Sequence, residues 1–245
     1  MGRPADDVER AVAKEREVRD REAGEYDAHR GQDRWLVEVE DACVLDALDL
    51  GAGQTVIDVG SGTGRLLPTL LERAGRVIAV DHSERSLDVA RRRVPEGALD
   101  RLELVAADVR ALPFEDASCD RVLCMGVLQH VPSREARLQA ARELLRVLRP
   151  GGVLAASAYH WRGHIKRRKE SAWATGIYYF AFTTGEFRTL FREAAFGDVE
   201  VGGAGVLPPL SRRLGLGVGV QRRLAFTPFG RRLADYVVAR AVRPA

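Results

Sequence analysis

The stretch Val56-Ile57-Asp58-Val59-Gly60-Ser61-Gly62-Thr63-Gly64 constrains this chain more than any other part of it. Apolar β-formers run into glycines at alternate positions, and Leu66, Leu67, Leu70 and Leu71 beyond them have helical spacing. A buried strand, a glycine turn and a helix form the opening unit of a parallel α/β sheet, in which ligands sit outside the carboxyl edge. The glycines let the backbone turn tightly and let a ligand reach main-chain N–H groups with no Cβ in the way. The helix start offers further unpaired donors and a partial positive charge. Together these predict a site for a polar or anionic ligand.

Spacing narrows the ligand. The dinucleotide fingerprint G-x-G-x-x-G fails from Gly60, where Arg65 replaces the last glycine, and from Gly62, where Leu67 does. The pattern present is D-x-G-x-G-x-G, with Asp58 inside the strand end. A charged residue in an apolar strand is costly unless it is paired, which argues for a role beyond a turn. Arg76–Val80 reads as a second strand ending in Asp81, 23 residues after Asp58. An acid there is placed to hold a ribose diol.

Beyond Asp81 strands and helices alternate. Ser83 is placed to cap a helix over 84–93, and strands are expected at Leu102–Ala106, Asp120–Met125 and Val153–Ala158. A helix from Ser133, with Leu138, Ala141, Leu145 and Leu148 on one face, is expected to stop at Pro150-Gly151-Gly152. Thr183-Thr184-Gly185-Glu186 is a capping box for a helix over 187–195. Such alternation requires right-handed crossovers and a parallel sheet. Before the first strand, Leu36, Val39, Cys43 and Ala47 share a helix face. Residues 1–24 are so charged that they read as a solvated helix or a frayed arm.

Asp58 to Gly64, Asp81 and Ala107-Asp108-Val109, in this order and spacing, resemble the class I S-adenosylmethionine-dependent methyltransferases, in particular a type 11-like, small-molecule branch. The resemblance covers residues ~50–200 firmly and the two ends loosely. It implies a doubly wound, Rossmann-like α/β fold of seven strands, the last antiparallel, with helices on both faces and a C-terminal cap. Its sixth strand would lie near Val199-Glu200-Val201 and its seventh at Leu233–Arg240. The corresponding layout is an N-terminal helical arm over 1–49 and a methyltransferase domain over 50–245, with cap insertions at 159–185 and 202–226.

The resemblance also assigns the cofactor site. Asp58 would orient the methionine amino group of S-adenosylmethionine, and Gly60, Ser61, Gly62 and Gly64 would line the ligand. Asp81 would accept the ribose hydroxyls, with His82 against the adenine. Asp108 would accept the adenine amine and Val109 would offer its N–H. The backbone at Cys124, Met125 and Gly126 would border the sulfonium. Tyr26 and Arg30 resemble residues that close over the cofactor carboxylate; as a plain reading of charge they belong to a solvated arm. His130 has two readings, a general base and a loop histidine bonded to nearby backbone. Cys124 reads as a buried core residue.

The expected function is methyl transfer to an O or N atom of a small metabolite, yielding S-adenosylhomocysteine. The alternatives are methylation of a carbon on a quinone-like or lipid acceptor, and a non-catalytic cofactor-binding domain. Substrate contacts are expected among Tyr159, His160, Trp161, His164, Trp173, Tyr178, Tyr179, Phe182 and the 202–226 segment, with glycines such as Gly163, Gly202 and Gly203 as hinges of a lid, although most of these aromatics read as the core of a small subdomain. Residues 161–245 carry a net charge of +9 and residues 1–160 carry −6. With 35 Arg against 3 Lys in scattered pairs, the basic half reads as a solvated face of a bacterial protein, with no nucleic acid expected. Cys43, Cys119 and Cys124 lack metal-ligand spacing, no apolar run reaches membrane-spanning length, and the charged N-terminus does not read as a signal peptide. A cytoplasmic protein without metal is the expectation.

Overall fold

The computed structural model describes residues 5–26, 33–162 and 169–245. Its nine strands are β1 (Thr55–Val59), β2 (Arg76–Asp81), β3 (Leu102–Ala106), β4 (Cys119–Met125), β5 (Leu148–Tyr159), β6 (Glu170–Ala172), β7 (Tyr178–Phe180), β8 (Val199–Val206) and β9 (Ala234–Val242). Seven of them form one sheet in the order β3-β2-β1-β4-β5-β9-β8. The first five pair in parallel, and β9 lies between β5 and β8, antiparallel to both. This is the doubly wound sheet with a reversed last strand that the motifs imply. β6 and β7 form a separate antiparallel hairpin that the sequence reading did not anticipate.

Successive side chains of β1 point to opposite faces, and each face has its own core. On one, Ile57, Val59, Val80, Val122 and Cys124 pack with α5 (Arg134–Val147) and α6 (Thr184–Glu193). On the other, Val56, Val77, Ala79 and Leu123 pack with α2 (Arg34–Leu48), α3 (Leu67–Arg73) and α4 (Glu84–Arg92). Helices on both faces explain why the strands are apolar without alternation. Full burial of a side chain such as Leu67 or Leu70 contributes about 2 kcal/mol of transfer free energy. The Ser83 cap on α4 and the Thr183–Glu186 capping box on α6 form as expected.

Four local expectations are corrected. Residues 5–22 form a helix, one of the two expected forms, but α1 (Ala5–Glu22) is docked rather than free in solvent, with Val8 and Val18 buried. The helix after the glycine loop starts only at Leu67, with Pro68 in its first turn. On α5 the buried positions are Ala136, Arg137, Ala140, Ala141, Leu144 and Val147, so Ala141 is buried as expected while Leu138 and Leu145 are only partly buried. Small alanines turn toward the sheet and let the helix approach it; the chain leaves the helix at Leu148, which already belongs to β5. Residues 202–206 are no cap insertion but the second half of β8, where Gly202 and Gly203 pair with Val238 and Val237 and cannot serve as hinges. The remainder of that segment holds α7 (Pro208–Arg213) and α8 (Val218–Ala225), followed by α9 (Pro228–Leu233).

Candidate active site

The carboxyl ends of β1, β2 and β4 open into a cleft lined by Asp58, Gly60–Thr63, Asp81, His82, Ala107–Arg110 and Met125–Val127. Two glycines are required by the turn itself. Gly60 has φ +75° and a Cβ there would stand 2.0 Å from Val127 Cγ2; Gly64 has φ +77° and a Cβ would stand 2.7 Å from that of Ala90. The loop does not present a row of open donors, however. Gly60 N and Ser61 N both donate to Val80 O (2.7 and 3.0 Å), and Gly62 N donates to Asp81 Oδ2 (2.8 Å). Gly64 N and Leu67 N are used within the turn, on Ser61 O and Gly64 O. Pro68 then removes a donor from the first turn of α3. The expected anion site is therefore absent: the loop spends its amides on closing against β2.

What the cleft does present is negative. Asp58 is buried and has no hydrogen-bond partner among the described residues. Burial, and second the charge of Asp81, push its pKa up to about 7. Asp81 accepts from Gly62 N through Oδ2 and from Ser83 N through Oδ1 (2.9 Å). Burial still raises its pKa, opposed by His82 and by those two bonds, and Glu15 of α1 adds a further negative charge within electrostatic reach. Ser61 Oγ is buried without a partner among the described residues. This donor set fits S-adenosylmethionine, which carries an ammonium and a sulfonium for the acids and a ribose diol for Asp81. It does not fit a pyrophosphate.

Asp108 also lines the cleft, but its carboxylate is gripped by Arg110. Arg110 Nη2 lies 2.7 Å from Oδ2, Nε contacts both oxygens, and Arg110 N donates to Oδ1. Burial would raise the Asp108 pKa; these bonds outweigh it and lower it. The same guanidinium holds Glu9 of α1 (2.6 and 3.1 Å). Val109 is buried at the cleft wall. Gly126 N donates to Ser157 O, and Ser157 Oγ donates to the buried Glu40 of α2 at 2.6 Å, which fixes the end of β4 beside the cleft. Burial pushes the Cys124 thiol far up and the residue is core. Tyr26 lines the cleft; Arg30 lies outside the described residues.

His130 is buried at the same edge. Its Nδ1 lies 2.8 Å from Tyr178 O, a carbonyl that can only accept, so Nδ1 carries the proton. Gln129 takes Tyr159 N on Oε1 (2.8 Å), which turns its amide NH₂ toward His130 Nε2 at 3.3 Å. Phe180 N donates to Gln129 O (2.7 Å). The Gln129–His130 pair thus fastens β7 to the loop after β4.

Residues 57–156 match the methyltransferase domain family. The match spans 100 of the chain's 245 residues and is to a methyltransferase domain. A methyltransferase, GfsG, of Streptomyces halstedii is 40% identical over 122 residues, 49% of this chain and 43% of that protein. A demethylmenaquinone methyltransferase of Clavibacter sepedonicus is 42% identical over 101 residues, 41% of this chain and 39% of that protein. The matched stretch is thus about two fifths of each relative's own length, and transfer RNA methyltransferases also stand among the curated relatives. The fold is shared with the 1,6-didemethyltoxoflavin-N1-methyltransferase of Burkholderia thailandensis, solved with 1,6-didemethyltoxoflavin and S-adenosylhomocysteine. The TM-score is 0.65 at 22% identity, over 100% of this chain and 94% of that one.

Around this methyltransferase domain the ends of the chain close the cleft. Val12, Glu15 and Arg19 of α1 line it opposite the sheet, and Asp20 Oδ1 accepts from Ser83 Oγ (2.6 Å). Of the expected substrate residues, Tyr159, Trp173 and Tyr179 gather in one cluster, joined by Tyr236, and Tyr159 meets His130 of the cleft lining edge to face. His160, Tyr178 and Phe182 are buried structural residues, with His160 Nδ1 on Ala234 O and Tyr178 OH taking Arg137 Nη1. Trp161 turns its ring toward Lys169, and His164 and Gly163 lie outside the described residues. Sequence reasoning missed Glu15, Arg19, Glu40, Gln129, Arg137 and Tyr236. Only α1 left a trace, Val8, Val12 and Glu15 at helical spacing before Val18 and Arg19. Among the described residues no His, Cys, Asp and Glu group could hold a metal, and no helix is long and apolar enough to cross a membrane.

Proposed function

We propose that the chain moves a methyl group from S-adenosylmethionine to an oxygen or nitrogen atom of a small metabolite in the cytoplasm. The observation that carries this reading is the pair of a buried Asp58 and a half-buried Asp81, facing a cleft in which Gly60, Ser61, Gly62 and Gly64 have already spent their amides. When bound, S-adenosylmethionine supplies a methyl on cationic sulfur: an acceptor lone pair bonds the carbon, the carbon–sulfur electrons stay on sulfur, and the acceptor proton leaves to solvent.

The chain's own work is then binding, alignment and exclusion of water. Asp58 neutralises the ammonium, and Asp81 takes the ribose hydroxyls on the lone pairs that Gly62 and Ser83 leave. Ser61 Oγ gains a partner, Val109 and His82 flank the adenine, and Asp108 meets its amine on the side away from Arg110. Met125 and Gly126, fixed through Ser157 and Glu40, border the sulfur. His130 acts as a positioning residue: Nδ1 holds the β6–β7 hairpin, and its lone pair on Nε2 already faces an amide donor. A second reading, methylation of an aromatic carbon, draws on the likeness to the demethylmenaquinone enzyme, which lies within the cofactor half.

Calorimetry with S-adenosylmethionine and S-adenosylhomocysteine tests the reading directly. Micromolar binding is expected; no heat at about 1 mM ligand, already only about −4 kcal/mol of binding, would refute it. Nuclear magnetic resonance of a methylated product distinguishes a methyl on O or N from one on carbon.

A further inference from the structure

We propose that the mouth between Arg19 and the rings of Tyr159, Trp173 and Tyr179 takes a flat aromatic acceptor bearing an acidic group, a phenolate or a carboxylate. The proposal rests on the methyl-transfer reading above and adds the acceptor class to it.

The ring arrangement favours stacking. Tyr159 stands at the carboxyl end of β5, paired in register with Tyr236 of β9. It meets His130, Trp173 and Tyr179 edge to face, at 6.1, 6.2 and 6.4 Å. Trp173 lies tilted on Tyr179 at 4.6 Å, yet remains 47% exposed. One face of the indole is therefore covered by a ring and much of the rest is open, at the edge where His130 lines the cleft. An apolar ring of that size left open at a site's mouth is a platform for another ring. The rings fill one another edge-on and do not turn three faces toward a common void, which is what an aromatic cage for a quaternary amine requires.

Charge points the same way. Three arginines line the cleft, Arg19, Arg65 and Arg110. Arg65 is paired with Asp41 and Arg110 with Asp108 and Glu9, while His82 stands beside Asp81. Among the described residues Arg19 makes one ion pair, to Glu15 at 3.3 Å, with the two side chains only 19% and 13% exposed. Its guanidinium sits 5.1 Å from the Tyr26 ring and within electrostatic reach of Tyr159. A guanidinium with N–H donors beyond its single carboxylate contact suits an acidic oxygen and repels a cationic acceptor. The turn after β6 rests on α1, a Cβ at Gly176 falling 3.5 Å from Lys14 Cε, so the hairpin that carries Tyr179 packs on the helix that carries Arg19.

The test is calorimetric titration of the protein saturated with S-adenosylhomocysteine, using four probes: 1-hydroxy-2-naphthoate, 1-naphthol, 4-hydroxycyclohexanecarboxylate and choline. We expect the naphthoate to bind at least about tenfold more tightly than the alicyclic acid, and choline to give no heat. Arg19→Gln should weaken the naphthoate about tenfold and leave 1-naphthol unchanged, whereas Trp173→Ala should weaken both. Trp173→Ala should leave S-adenosylhomocysteine affinity unchanged, and Arg19→Gln should weaken the naphthoate more than it weakens S-adenosylhomocysteine. The proposal falls if both acids bind alike or not at all, if choline binds, or if Arg19→Gln weakens S-adenosylhomocysteine but not the naphthoate. A parent protein that takes no S-adenosylhomocysteine loses the methyl-transfer reading as well, and that outcome is separate from the others.

Discussion

The two walls of the cleft are made by different means. On the sheet side, Asp58 and Asp81 sit at the ends of adjacent central strands, and the loop between them is tied to β2 by three main-chain donors. On the opposite side, α1 is attached through side chains: Glu9 to Arg110, Asp20 to Ser83, and Lys14 against the Gly176 turn. Glu9 is exposed, and an exposed ion pair contributes little in water. One wall is held in place by the fold whether or not ligand is present, and the other is held by contacts that ligand can compete with. A site divided this way can keep its cofactor chemistry fixed while the partner segments adapt to the acceptor.

If the sheet wall is the invariant one, its acids should give the largest effects. Asp81→Ala removes two partners of the loop as well as the ribose contacts, so cofactor affinity should fall about a thousandfold by calorimetry, and Asp81→Asn less. Equal binding by folded Asp81→Ala and parent would erase the distinction between the walls.

Asp58→Asn should act with opposite signs on binding and stability. In the empty protein Asp58 keeps its proton up to about pH 7, while in the unfolded chain it loses it near ~3.9. Between those values the native state binds more proton, so stability falls as pH rises through the window and then levels. Asp58→Asn removes that loss, and thermal unfolding should show a gain of about 4 kcal/mol at about pH 8 and almost none near pH 4. Cofactor affinity should fall about thirtyfold, because one charge-assisted hydrogen bond is weakened. In the parent, affinity should rise from about pH 6 to 8 as Asp58 ionises, and in Asp58→Asn that rise should be gone.

His130 lies where the walls meet. His130→Ala should weaken acceptor binding and speed amide exchange in the β6–β7 hairpin. His130→Asn, whose amide can reach Tyr178 O, should restore most of the turnover. A loss of about a hundredfold in both variants, with the hairpin still protected, would make the imidazole a base instead.

The smallest effect belongs to the attached wall. Glu9→Gln should raise the cofactor Kd only a fewfold at low salt, and the difference should vanish at high salt, where exposed charges are screened. A large, salt-independent change would show that α1 is as fixed as the sheet.

The sheet wall was legible because its signals are local. Asp58, Gly60 and Gly64 lie within one strand and turn, and Asp81 follows at the length of one crossover. The reversed last strand was also placed within two residues. What the loop does with its amides was not legible, since their acceptors, Val80 and Asp81, are defined only once β1 and β2 lie side by side. The attached wall is non-local throughout: Arg110 and Glu9 are 101 residues apart and Ser83 and Asp20 are 63. A charge-rich stretch reads as solvated when its partners are that distant, and two buried valines, Val8 and Val18, help to dock it. On α5 the misread face came from weighting leucines over alanines, where closeness to the sheet mattered more than side-chain size.

The reversed strand has a consequence for how such a protein can change. Val206 and Ala234 are neighbours in the β8–β9 ladder, so the chain between them, carrying α7, α8 and α9, begins and ends at almost one point. A detour that starts and finishes at adjacent ladder rungs can be shortened, lengthened or exchanged without shifting the register of either strand, and lengthening it costs little chain entropy. The sheet therefore has a socket beside Tyr236 into which different segments can be spliced, while Asp58 and Asp81 lie on strands that the exchange never touches.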